Sequence, residues 1–63
     1  MCEASAFLIK EGQEQLFMEA VDIVDPEGEN SWRLVDIFGD QKMLKGRLKG
    51  MNLVNHKITF VEE

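Results

Sequence analysis

The sequence predicts an all-β domain, and three observations carry that prediction. Short apolar stretches with alternating side chains recur along the whole chain. Clusters of Gly, Pro and Asn separate them at intervals of about ten residues, the spacing of a small barrel or sandwich. Gly46 and Gly50 also sit inside a strand-like pattern, where glycine marks tight bends or close backbone approach, as at barrel corners. Five or six short strands are expected within a single domain spanning residues 1–63.

Taken in order, Ala4 to Ile9 reads as a first strand, with Phe7 and Ile9 on one face, Ala6 and Leu8 on the other, and Lys10-Glu11-Gly12 as the turn. Glu14 to Asp25 has the composition of a helix, but the hairpin signal after it favours a strand. Leu16, Met18 and Ala20 then share one face, and the apolar phase slips by one residue to Val21 and Ile23, which predicts a bulge or sharp bend. Pro26-Glu27-Gly28-Glu29-Asn30 is the clearest turn, because proline sets an early φ and glycine supplies a positive one. Ser31 to Phe38 resumes an extended pattern, with Trp32, Leu34 and Phe38 on one side, Val35 and Ile37 on the other, and Gly39-Asp40 closing it. Met43 and Leu44 open the next strand, Met51 and Leu53 alternate beyond the glycines, and Asn55 turns the chain. In the last strand His56, Ile58 and Phe60 share one face, which predicts an inward His56 bonded to a backbone group.

Sixty-three residues make a marginal core, so a metal or oligomerisation is expected to add stability, and a homodimer is predicted. A lone cysteine cannot form an internal disulfide, and a free thiol suits a reducing cytoplasm. No apolar run approaches membrane-spanning length, and Glu3 and Lys10 interrupt the first apolar stretch, which argues against a signal peptide. The net charge of −5 is unevenly spread. Residues 3–30 carry eight acids against Lys10 alone, whereas residues 41–57 carry Lys42, Lys45, Arg47, Lys49 and Lys57 and no acid. Such a basic segment allows a small RNA-binding barrel as the alternative function, although the plainer reading is solvent-facing strand positions.

No nucleophile elbow, phosphate-binding glycine loop or metalloprotease helix is present in the sequence. A Cys2–His56 nucleophilic pair can be written down, but so small a barrel offers little volume for a water-excluding site, so a binding protein is expected rather than an enzyme. The opening Met1-Cys2-Glu3-Ala4 is the stretch with chemistry. A cysteine at position two is poorly placed for a core, since termini fray unless tied down. It is well placed for a ligand. With Met1 removed, the new amine and the Cys2 thiolate close a five-membered chelate. With Met1 retained, its amine, the Cys2 amide nitrogen and the thiolate form a tridentate set. Either favours the square-planar field of Ni(II) or Cu(II). One chain has too few soft donors for tetrahedral zinc. Two chains in a dimer would supply two thiolates and two nitrogens. On the residues alone, a terminal thiol without function stands level with this metal site. The methionines read as core filler and Glu3 as solvated.

Met1-Cys2-x-Ala4, Leu16-x-Met18-Glu19-x-Val21, Leu34-x-x-Ile37-Phe38-Gly39, Lys45-Gly46-Arg47 and Leu53-x-x-His56-Lys57-Ile58 follow one another in an order and spacing that resembles the CooT family of small nickel-binding proteins. The resemblance implies a small SH3-like barrel, a homodimer, and Ni(II) held through Cys2 with nitrogens of Met1 and Cys2. It also implies a part in maturing a nickel enzyme, carbon monoxide dehydrogenase, with that enzyme or its maturation factors as partners. Members of the family have also been described as predicted RNA-binding proteins. No ligand role is carried onto His56.

Overall fold

The computed structural model describes residues 4–62. Five strands follow in chain order: β1 (Ala4–Lys10), β2 (Gln13–Pro26), β3 (Ser31–Asp36), β4 (Gln41–Asn52) and β5 (Lys57–Glu62). They close into one barrel, each neighbouring pair antiparallel except the closing pair, β1 with β5, which is parallel. Closure leaves no unpaired sheet edge, the usual liability of a small β protein.

Two long strands make the closure possible. The first part of β2 pairs with β1 and its last part with β3, while β4 gives its first half to β3 and its second to β5. Each bends where it changes partner. In β2 the bend falls at Ala20, whose φ is +53°, and the register slips again between Val21 and Ile23. The anticipated phase slip is therefore present, with one more before it at Phe17 and one after it at Asp22. Met18 and Val21 are in the core with Phe17 and Val24 against it, whereas Leu16 and Ile23, read as sharing faces with Met18 and Val21, are exposed. The helix-favouring composition of the segment is overridden by its pairing with β1 and β3.

In β4 the bend falls at Gly46. A Cβ built there would lie 2.2 Å from the Val61 carbonyl oxygen of β5, so no side chain fits. The Gly46 carbonyl accepts a hydrogen bond from Trp32 Nε1 at 3.1 Å, and the Trp32 ring packs tilted against Phe60 with centroids 5.5 Å apart. Ala6, Met18, Val21, Leu34, Leu44 and Phe60 form the core, with Leu8, Phe17, Val24, Trp32, Leu48 and Ile58 against it.

Two further expectations are corrected. β3 ends at Asp36 rather than Phe38, because the Asp36 carboxylate accepts the backbone N–H of both Phe38 and Asp40 and turns the chain. Phe38 thus projects outward instead of joining Trp32 and Leu34. His56 does not face the interior: it sits in the β4–β5 turn at φ +53°, exposed, and its backbone carbonyl is what serves the fold.

Candidate metal-binding tip and its surroundings

The residues singled out for metal binding, Met1 and Cys2, lie outside the described residues, as does Glu3. What the structure fixes is the platform from which they emerge. Ala4 is the first residue of β1 and pairs with Val21, which pairs on its other side with Asp36. On the opposite edge of β1, Ser5 pairs with Lys57, and its N–H donates to the His56 carbonyl at 2.8 Å. Ala6, two residues in, is fully buried. The start of β1 is thus anchored on both flanks within two residues of Ala4.

A groove of about 280 Å³ opens beside this anchor, lined mainly by apolar atoms of Ala4, Met51, Leu53 and Ile58 together with Asn52, His56 and Lys57. Its lip is the β4–β5 turn. Asn52 Oδ1 accepts the Asn55 N–H at 3.0 Å and fixes the turn, leaving Leu53 78% and Val54 88% exposed. An apolar pair held outward at the end of a pinned hairpin was not read from the sequence, where Leu53 seemed to continue a strand. The signal that could have found it is the pair Asn52 and Asn55, which brackets Leu53 and Val54 as turn residues. His56 is therefore brought beside the start of the chain, while its own peptide oxygen is committed to Ser5.

Among the described residues, no group of three or more His, Cys, Asp or Glu side chains is placed to hold a metal ion. No polar or charged side chain is buried among them, so the barrel interior is packing rather than a reaction chamber. No helix of the described residues is long and apolar enough to cross a membrane.

The basic 42–57 segment does not act as one unit. Lys57 Nζ contacts Glu14 Oε1 at 2.5 Å and lies 4.8 Å from the centre of the Phe7 ring. Lys42 Nζ donates to the Phe17 carbonyl at 3.3 Å and sits 5.5 Å from that ring. Lys45, Arg47 and Lys49 remain, exposed at alternate positions of β4 and outside the ion pairs of the described residues.

Comparison with known proteins agrees with this architecture. Residues 1–60 match the family model for the CO dehydrogenase accessory protein CooT. The fold superposes with a TM-score of 0.87 on the crystal structure of a protein assigned as CooT from Carboxydothermus hydrogenoformans, 42% identical, with 98% of each chain covered. No curated protein gives a significant match.

Proposed function

The chain belongs to the CooT family of CO dehydrogenase accessory proteins, and from that premise we propose that it carries Ni(II) as cargo on its N-terminal tip for delivery to a nickel enzyme. Carbon monoxide dehydrogenase is the enzyme that the family's description points to. The Cys2 thiolate is the central ligand, with amine or amide nitrogen from Met1 and Cys2 completing a planar set. A thiolate with such nitrogens binds nickel tightly, while a ligand set at a chain tip stays open to exchange. That combination suits transfer of the ion to a client better than catalysis upon it.

The observation that carries this reading is the anchoring of Ala4 and Ser5 between Val21 on one flank and His56 and Lys57 on the other. Ala4, two residues after Cys2, is itself held at a defined place on the barrel surface. The apolar groove and the exposed Leu53 and Val54 beside it suit a second copy of the chain, which would bring two Cys2 thiolates together. A homodimer working in the cytoplasm follows from that reading.

Titration of the purified chain with Ni(II) is expected to give thiolate-to-nickel charge-transfer bands in the near ultraviolet. Cys2→Ala should abolish them and lower the bound stoichiometry. Unchanged bands and stoichiometry in Cys2→Ala would overturn the assignment. The second reading, an RNA-binding barrel, is favoured only by Lys45, Arg47 and Lys49 along β4. Retention on RNA that weakens steeply with salt would support it, and no retention at low ionic strength would dispose of it.

A further inference from the structure

The β3–β4 turn presents Phe38 with 81% of its surface exposed, and the exposure is enforced. Asp36 Oδ1 accepts the Phe38 N–H at 2.9 Å and the Asp40 N–H at 3.0 Å, Gly39 N–H donates to the Asp36 carbonyl, and Asp36 N–H donates to the Asp40 carbonyl. Ile37 N–H ties the turn to the Ala20 carbonyl at the bend of β2. A rigid turn holding a large aromatic ring in water loses the burial that the ring would gain elsewhere. Aromatic side chains held out in this way are the common anchors of protein interfaces.

We propose that Phe38 is the docking anchor for nickel-free carbon monoxide dehydrogenase, inserting into an apolar pocket of the enzyme whose rim is basic. This rests on the nickel-carrier reading above. The partner's chemistry follows from the surroundings of the ring. A concavity of about 430 Å³ that Phe38 lines is also lined by Leu16, Phe17 and Ala20 and by the acidic Glu19, Asp36 and Asp40. The one cation there, Lys42, is turned onto the Phe17 carbonyl. An apolar knob beside three acidic side chains complements an apolar pocket flanked by Lys or Arg.

The position suits delivery. Asp36, Val21 and Ala4 lie on one rung across β3, β2 and β1. Two strand spacings put the base of the Phe38 turn about 10 Å from the start of the metal-bearing tip. It lies on the flank of β1 away from His56 and the Leu53–Val54 groove, so a dimer formed through that groove leaves Phe38 accessible.

The test is calorimetric titration of nickel-free carbon monoxide dehydrogenase, purified from the same source, with the full chain. Phe38→Ala should weaken binding roughly tenfold or more, with unchanged nickel charge-transfer bands and an unchanged melting midpoint, since the ring is outside the core. Asp40→Lys should weaken binding and flatten its dependence on salt. Cys2→Ala should lose nickel and still bind the enzyme. No binding by the wild type, equal binding by Phe38→Ala, or conversion of a dimer to monomer by Phe38→Ala would each overturn the docking assignment. Nickel retained in Cys2→Ala, with enzyme binding still lost in Phe38→Ala, would instead overturn the nickel site and leave the docking point standing.

Discussion

Replacing Gly46 with alanine tests how the barrel is closed. The added Cβ would meet the Val61 carbonyl oxygen at 2.2 Å, with the Val61 carbonyl carbon at 3.0 Å and Glu62 Cα at 3.2 Å. All three are backbone atoms of β5, so no side chain can rotate away. Ordinary contact would require β4 and β5 to separate by more than an ångström at the corner where β4 changes partner. Overpacking of this kind costs about 1–3 kcal/mol. Displacing the Gly46 carbonyl from Trp32 Nε1 adds about 1 kcal/mol. A loss of about 3 kcal/mol is a large part of the ~3–9 kcal/mol expected for a domain of this length. It corresponds to a fall in melting temperature of roughly 12–24 °C. Trp32 is the sole tryptophan and touches Gly46 directly, so urea unfolding followed by its fluorescence reads the perturbed spot. The control is Gly28→Ala. There φ is +78° with open space around the new Cβ, so only backbone strain of about 1–2 kcal/mol is incurred. If Gly46→Ala lowers the urea midpoint no more than Gly28→Ala does, steric closure at β5 is not what the glycine is for.

Two other outcomes follow from the strained and the exposed positions. Ala20→Gly relieves a positive φ at the β2 bend, and the relief of about 1–2 kcal/mol outweighs the added chain entropy of about 0.5–1 kcal/mol. A higher urea midpoint is therefore expected, and a lower one would show that the Ala20 methyl packs usefully. Leu53→Ser, at a position 78% exposed, should leave the unfolding of dilute protein within about 0.5 kcal/mol of wild type while shifting sedimentation towards monomer. If the proposed dimer forms and is unchanged in Leu53→Ser, the groove beside Ala4 is not the contact between copies.

Alternation and turn chemistry were enough to read the all-β class, the strand starting at Ala4, the turn at 26–30 and the bend after Ala20 from the sequence. Each depends on neighbours within a few residues: a Pro-x-Gly that sets backbone angles, or an apolar phase that slips by one. The inward set of β2 was misread because two further slips, at Phe17 in the pairing with β1 and at Asp22 in the pairing with β3, leave no local mark. Phe38 and His56 were misplaced for a related reason. Alternation extends a strand indefinitely, whereas the strand ends where a side chain such as Asp36 captures the following amides.

For the site the division falls elsewhere. The sequence alone offered the cysteine at position two and the donors its neighbours can add, since chelation by adjacent atoms needs no fold. Only the tertiary structure decided that Ala4 is gripped from both sides, that His56 and Leu53 come to lie beside it, and that Phe38 stands outward in the turn that follows Asp36 on the same rung. Leu53 and His56 are 49 and 52 positions from Ala4, and they meet it because closing β5 onto β1 in parallel register brings the last hairpin back to the first strand. Phe38, 34 positions away, comes near through the pairing of β2 with both β1 and β3. Parallel closure leaves no local pattern in the chain. It is fixed by the total number of strands and by the bends at Ala20 and Gly46 that let two of them turn the corners.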